Sequence, residues 1–383
     1  MSLREVDVAE PGFRRRGAGK GFVYLDCEGR RIADQVVIAR IKALAIPPAW
    51  TDVWICPDRR GHIQAMGLDA RGRRQYRYHD EWRATRDREK HDRMLRMARA
   101  LPRLRRRLRH DLATEGMGRD RVLACAVRLL ELGMFRVGTE AYAEDNGTYG
   151  LATVRKGHVR ARGDELRFAY PAKGGQRRVI AIGDPEVADV VRALKRRRGG
   201  GPELLAYKDE RGRWMDVRSS NINAYLQDAL GAGFSTKDFR TWTATVLAAV
   251  GLASEEDTDS QRQRRLAVRR VVRSVARQLG NTPAVTRGSY VDPRVIQSYE
   301  NGDSVGDTLT ETTFRAAVDF GADTDGDDDD DDTVAIDSVP PDLLTEIEAA
   351  VVELIEGASH RTTRRHAAPS HAPVRHGRPR NQA

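Results

Sequence analysis

The pattern of the chain changes character near residue 80, and that change restricts the fold more than any other feature. Before it, GFVYL (21–25), DVWIC (52–56) and HIQAM (62–66) are short β-rich runs bounded by Gly, Pro and Asp, as expected of strands joined by turns. Between the first two, residues 34–44 fit a short helix with Asp34 as its N-cap, stopped by Pro47 and Pro48. After it, residues 81–117 are long, very basic and helix-compatible. Pro102 is expected just inside the start of a second helix there, because a proline in a helix interior removes a hydrogen bond and clashes with the preceding turn. Residues 119–134 carry apolar side chains at helical spacing. Residues 157–162, 165–170 and 177–182 alternate as strands, joined by hairpin turns at 162–164 and 172–175. Helices resume at about 185–197, 219–231, 237–251 and 262–279. No internal repeat is read. The expected class is α+β: a small N-terminal β-sheet domain (1–85), a larger, mostly α-helical domain (86–300), and a largely disordered C-terminal extension (301–383).

Charge is distributed as unevenly as pattern. The 383 residues carry a formal charge of +10. Residues 301–356 hold 18 acidic side chains and one basic one, Arg315, a net of −17, and residues 357–383 hold six Arg and no acid, a net of +6. Residues 1–300 therefore carry +21. Only eight of the basic residues are Lys. A coding bias toward Arg explains that ratio, but not the excess over acid, and nucleic acid is the commonest partner of such a surface. No apolar run reaches the ~20 residues of a membrane span, and the N-terminus lacks the apolar stretch of a secretory signal. Cys27, Cys56 and Cys125 are odd in number and far apart, fitting neither a disulfide framework nor a zinc site. A soluble cytoplasmic monomer with a polyanionic partner and no membrane association is the expectation. The acidic 301–338 reads as a linker, 340–357 as one amphipathic helix, and the remainder as a basic tail. A flexible acidic tether beside a basic body is expected to contact that body and compete with its polyanion; a purely solubilising tail is the blander alternative.

Two motifs are decoys. Gly17–Gly21 resembles a phosphate loop but lacks the Ser or Thr after Lys20 and the full spacing. The Asp327–Asp332 run has neither the alternation nor the Gly of a Ca²⁺ loop. The nine His show no pair at metal spacing, so no metal or other cofactor is expected. More telling is 71–78, where Arg74, Gln75, Tyr76, Arg77 and Tyr78 interleave basic and aromatic groups. On a strand Tyr76 and Tyr78 share one face while Arg77 points away, and amides, phenols and guanidinium groups suit DNA grooves and phosphates. The bland reading is a strand that buries two Tyr.

Four further stretches form a set: Arg136 in FRVG, followed by Tyr142, Asn146, Thr148, Gly150 and Leu151; Lys173 in a Gly-bearing turn; Lys237 and Arg240 in KDFRTW; and Asn281 in GNTP before Tyr290 in SYVDP. Any one of these cations is more often a surface ion pair than a catalyst. Together they supply what phosphodiester transesterification requires. Two Arg can clamp a phosphorane whose charge grows in the transition state. A Lys on a hairpin tip can protonate a leaving oxygen, and a Tyr can hold the phosphate covalently.

This order and spacing resemble the type IB DNA topoisomerases, in the compact branch found in bacteria and poxviruses, over roughly residues 12–300. PPAW (47–50) and GRRQYRY (72–78) are similar to that branch's N-terminal domain. The stretch 135–159, KDFRTW (237–242) and GNTPAVTRGSYVDP (280–293) are similar to its catalytic domain. The resemblance implies Tyr290 as nucleophile of a 3′-phosphotyrosyl bond, Arg136 and Arg240 as phosphate-binding groups, and Lys173 as general acid. Asn281 stands where many relatives carry His; it can donate a hydrogen bond but cannot titrate near neutrality, so oxyanion stabilisation is its implied role. Gln75, Tyr76, Tyr78, Arg74 and Lys237 are the implied DNA contacts. Duplex DNA is the implied partner, relaxed without ATP, metal or other cofactor, in the cytoplasm at the nucleoid. Tyrosine recombinases share the Arg…Lys…Arg…Tyr chemistry and are the alternative, but they usually carry His where Lys237 stands and a helical first domain. A DNA-binding protein that has lost catalysis is disfavoured because all five catalytic residue types are present.

Overall fold

The computed structural model describes residues 2–19, 21–256, 258–315, 333–336 and 340–367. The chain divides into two units after Lys90.

In the first unit β1 (Phe13–Ala18), β2 (Gly21–Leu25), β3 (Thr51–Ile55), β4 (Ile63–Leu68) and β5 (Arg74–Tyr78) form one antiparallel sheet in the order β2-β1-β3-β4-β5. Helix α1 (Gln35–Ala43) starts where the Asp34 carboxylate accepts from the Val36 N–H at 2.8 Å, satisfying a donor that the first helical turn leaves free. Ile41 of α1 packs with Val53, Ile55 and Ala65 in a small core.

Two hairpin turns of this unit and one of the second share a five-residue sequence pattern. Asp26-Cys-Glu-Gly-Arg30, Asp69-Ala-Arg-Gly-Arg73 and Asp209-Glu-Arg-Gly-Arg213 repeat the pattern D-x-x-G-R. In each, the Asp side chain accepts from two backbone N–H groups and from the Arg Nε at 2.9 Å. The Gly takes a φ between +71° and +81°, a conformation that L side chains seldom adopt. Five residues therefore encode a complete turn.

The unit boundary falls within α2 (Asp80–Leu112). This helix runs through Pro102, so the expectation of a second helix starting there is corrected. Met94, Leu101, Leu104 and Leu108 are at most 1% exposed. Burying each contributes about 1.5–3 kcal/mol, and together they outweigh the roughly 3 kcal/mol cost of an interior proline.

Helix α3 (Arg119–Gly133) lies at the centre of the second unit, with residues 122–127 all at 0% exposure. After it come α4 (Glu140–Asn146), β6 (Val159–Arg162), β7 (Glu165–Pro171) and β8 (Arg177–Gly183). Next are α5 (Pro185–Arg196), the β9–β10 hairpin (Ala206–Lys208, Trp214–Asp216), α6 (Ser219–Leu230), α7 (Thr236–Ala253) and α8 (Gln261–Leu279). Two short helices follow, α9 (Pro283–Ser289) and α10 (Pro293–Glu300). Strands β6–β8 are antiparallel, and β11 (Thr333–Ile336) joins β8 in parallel. The three short helices α4, α9 and α10 span only two turns or so, too few for apolar periodicity to register.

The amphipathic helix expected over 340–357 forms, as α11 (Pro341–Ala367), but its setting requires a second correction. The expected domain order ends the catalytic domain at residue 300 and makes 301–383, apart from that helix, a largely disordered extension. Instead Val305, Ile347, Val351 and Ile355 are fully buried in the main core. The apolar stripe of this helix is covered by α7 and α10 rather than by solvent. The Asp327–Asp332 run and the tail beyond residue 367 lie outside the described residues, as does Lys20 of the glycine-rich loop. Among the described residues no helix is long and apolar enough to cross a membrane.

Candidate active site

Four elements of the second unit bring Arg136, Arg240, Asn281 and Tyr290 together. The first is the stretch after α3. Met134 ends that helix in the left-handed region at φ +49°, turning the chain so that 134–138 runs against 150–152. Leu151 N–H donates to Arg136 O at 2.8 Å and Ala152 N–H to Val137 O at 2.7 Å. Gly138 and Gly150 are required here: a Cβ on Gly150 would lie 2.5 Å from the Gly138 nitrogen.

The second element is the first turn of α7. Asp238 is 1% exposed and caps the helix, accepting from Ser235 N–H at 2.8 Å and from Arg93 Nε at 3.1 Å. That cap turns Arg240 inward, where it is 4% exposed, and leaves Lys237 exposed on the other side of the same turn. Arg240 donates to Met134 O and, at 2.8 Å, to Leu279 O.

The third element is the C-terminus of α8. Gly280 caps it at φ +61°, and Asn281 follows. Arg136 donates to Gly280 O at 3.0 Å and to Asn281 Oδ1. The carbonyl oxygens that a helix end leaves without partners are here the seats of the two arginines.

The fourth is α9, which delivers Tyr290 at its C-cap, with Tyr290 N–H donating to Thr286 O at 3.0 Å. Thr245 of α7 donates from its hydroxyl to Tyr290 O at 3.2 Å and accepts from Asp292 N–H at 3.2 Å. One helix, α7, therefore fixes both Arg240 and the backbone of Tyr290.

The Arg240 guanidinium carbon sits 5.4 Å from the Tyr290 ring centroid. Burial alone would raise the Tyr290 pKa, but the charge and hydrogen bonding of Arg240, then the charge of Arg136, bring it below the ordinary phenol value. Burial and the neighbouring Arg136 push Arg240 below the ordinary guanidinium value. Among the described residues, two buried donors, Arg240 Nε and Asn281 Nδ2, complete no hydrogen bond. Buried polar groups are normally paired, and such donors are suited to anionic oxygens.

Lys173 sits apart from this cluster in the contacts it makes. It occupies the tip of the β7–β8 hairpin, exposed, in a turn closed by Ala172 N–H to Gln176 O at 2.8 Å. Gly174 and Gly175 have φ of +87° and +78°, which the turn demands. Tyr149 N–H donates to Pro171 O at 2.8 Å, tying the hairpin base to the segment that backs Arg136.

The implied DNA contacts of the first unit lie on and beside β5. Tyr76 and Tyr78 stack with centroids 5.9 Å apart, and Tyr78 is 39% exposed, so the two rings are not a buried pair. Arg74 is exposed. Gln75 Nε2 donates at 3.0 Å to Asp69, the turn aspartate. Hydrogen bonds from the Arg73 side chain and backbone hold that carboxyl at about 2.

The match to known families is extensive. The family described as eukaryotic DNA topoisomerase I, catalytic core, matches residues 79–305, and that of the bacterial DNA topoisomerase IB N-terminal domain matches 21–69. The chain belongs to the type IB DNA topoisomerases. It is also 31% identical over 306 residues, 79% of this chain and 91% of the relative, to a protein of Acanthamoeba polyphaga mimivirus named DNA topoisomerase 1B. The enzyme is thus an isomerase of duplex DNA, and its two units follow the domain order of its family. Helix α11 lies beyond the matched core. One residue near the site that the sequence reading missed is Arg178. It lies on the inward face of β8 with Ile180 and Ile182, and a charged residue at a core-facing position is itself a signal.

Proposed function

We propose that this topoisomerase relaxes supercoiled DNA by cutting one strand through Tyr290, letting it swivel, and resealing it. The Tyr290 oxygen attacks the scissile phosphorus, and the phenolic proton passes to solvent. The P–O5′ bond breaks as Lys173 supplies a proton to the leaving 5′-oxygen. The products are a 3′-phosphotyrosyl bond and a free 5′-hydroxyl. That end rotates about the intact strand and attacks the phosphotyrosine, restoring the diester and the phenol. One phosphoester bond is exchanged for another in each step, so ATP is not needed.

The observation that carries this reading is the placement of Arg240 over the Tyr290 ring, with Arg136 bonded to Asn281 beside it. The arginines lower the cost of ionising the nucleophile, and they lie where a phosphorane would develop negative charge. Asn281 Nδ2 and Arg240 Nε supply free donors to non-bridging oxygens. Asn281 serves by hydrogen bonding alone, since an amide does not titrate. Lys173 belongs to a hairpin whose exposed tip can follow DNA into the site; its proton transfer is the step that depends most on the bound duplex. Gln75, Tyr76, Tyr78, Arg74 and Lys237 contact the duplex, and phosphate contacts of this kind make binding fall steeply with salt. The enzyme acts as a monomer, in the cytoplasm at the nucleoid.

The test is plasmid relaxation without ATP, followed by trapping of the covalent complex and mapping of the modified residue. Relaxation with the adduct on Tyr290 is the expected result; an adduct elsewhere, or none, overturns the assignment.

A further inference from the structure

The C-terminal turn of α8 presents four successive backbone carbonyls, those of Arg277, Gln278, Leu279 and Gly280, and three arginines from three other parts of the unit meet them in order. Arg178 donates from Nη1 to Arg277 O at 3.4 Å and from Nη2 to Gln278 O. Arg240 takes Leu279 O at 2.8 Å. Arg136 takes Gly280 O at 3.0 Å and then Asn281 Oδ1. These carbonyls and the negative pole of the helix dipole offset the mutual repulsion of three guanidinium groups. Arg136 and Arg240 belong to the proposed chemistry; Arg178 does not. It is 8% exposed, and a Cβ added to Gly280 would lie 3.2 Å from its Nη1. It lies on β8 five residues beyond Lys173, with Tyr170 of β7 as its strand partner.

We propose that Arg178 is a positioning residue for strand cleavage: its forked guanidinium pins the last turn of α8 to β8. That fixes the carbonyls on which Arg136, Arg240 and Asn281 are hung, and it locks the strand that carries the Lys173 hairpin to the same turn. The inference rests on the phosphate-clamping roles given to Arg136 and Arg240 above. Only an arginine meets the requirement, because one planar group must reach two neighbouring carbonyls at once. Burial, helped by repulsion from Arg136, lowers its proton affinity against the opposing pull of Tyr170. A side chain held there at such a cost is kept for its geometry.

The test uses the full chain and single-turnover cleavage of a nicked duplex whose short leaving strand diffuses away, with Arg178→Gln and Arg178→Lys beside the wild type. Each protein is assayed on the normal phosphodiester and on a methylphosphonate at the scissile position. The methylphosphonate lacks one non-bridging oxygen and its charge, so its cleavage depends less on where the arginines sit. Arg178→Gln is expected to cleave the phosphodiester about 10- to 100-fold more slowly at saturating DNA, the loss typical of a small misplacement of catalytic groups. Its half-saturating DNA concentration stays unchanged, and on the methylphosphonate the defect shrinks to under about threefold, since the two changes act on one interaction. Arg178→Lys, which keeps the charge but not the fork, shows the same pattern and serves alone if Arg178→Gln fails to fold. An equal defect on both substrates would mean that Arg178 only holds the fold together, and full activity of the Lys variant would mean that charge alone matters. Either result overturns the proposal, as does the absence of any defect. If the wild type itself forms no Tyr290 adduct on the phosphodiester, it is the reading of the site that fails, and the two failures are told apart.

Discussion

The two units of this topoisomerase use their polar residues in opposite ways. In the first unit the proposed DNA contacts lie on or beside a strand that is half exposed, and their partners are local: Gln75 leans on Asp69 six residues away, and Tyr76 stacks on Tyr78. In the second unit Arg240 is buried and Arg136 half-buried, and their partners come from more than 100 residues away in several cases, as with Arg136 and Gly280 or Arg240 and Met134. A solvated residue contributes affinity roughly independently of its neighbours, whereas a buried charge is bound to the geometry of everything that neutralises it. The first unit should therefore tolerate single changes with small losses of binding. The second should lose chemistry or stability outright.

The largest expected effect is that of Tyr290→Phe, which removes the oxygen proposed to attack the phosphate. Covalent adducts should vanish, a loss of about five orders of magnitude or more in cleavage, while gel-shift affinity for duplex DNA stays nearly intact. Arg240→Gln comes next, with cleavage about 10²- to 10³-fold slower, the usual cost of one lost oxyanion donor. It carries a second signature. Arg240 holds the Tyr290 phenol below its ordinary pKa, so the phenolate forms at lower pH in the wild type. Without the cation, the rising limb of the cleavage–pH profile should move to higher pH.

The third prediction concerns stability. Glu348 of α11 accepts both Arg105 Nη groups, at 2.7 and 2.9 Å, and Trp242 Nε1 at 2.9 Å. Arg105 also reaches Glu131 at 2.6 Å, and Arg128 bridges Glu131 and Asp184. Against the penalty of burial, Glu131 is held below the usual carboxylate range by two arginines. Glu348 has one arginine and the Glu131 charge nearby, and burial leaves it above that range. Glu348→Ala should cost about 3–5 kcal/mol of unfolding free energy, because it leaves Arg105 buried and half paired. Glu348→Gln, which keeps an acceptor for Trp242, should cost much less in the same denaturant titration.

The smallest effects belong to the first unit. Tyr76→Ala or Tyr78→Ala should weaken DNA binding by about 1 kcal/mol, the size of an ordinary contact outside a hot spot, with cleavage at saturating DNA unchanged. Arg74→Ala should reduce the salt dependence of binding by about one counterion. A fall in the saturated cleavage rate in any of these three would break the contrast between the units.

Much of the molecule was legible before its coordinates. The N-cap at Asp34, the two-glycine turn at Lys173, the central helix after residue 119 and the strands on either side of it are local signals, and local signals survive in a sequence. Three things were not legible. The helix through Pro102 forms because its leucines meet a core assembled from distant segments. The D-x-x-G-R turns recur at spacings too irregular for a repeat to be noticed. The C-terminal helix looked like an appendage because its acidic neighbours suggested solvent, and Glu348 gave no sign that its partners were an arginine 243 residues earlier and a tryptophan on α7.

The sequence by itself determined the family and the two-part α+β design, and it named the residues proposed for the chemistry, since each of those is carried by residue type and order along the chain. The tertiary structure alone decided how those residues are held. Four carbonyls at the end of one helix receive arginines from three other segments, and a carboxylate from beyond the matched core closes a separate buried charge network. Such arrangements depend on which groups are far apart in the chain and close in space, and burial makes their pairing obligatory.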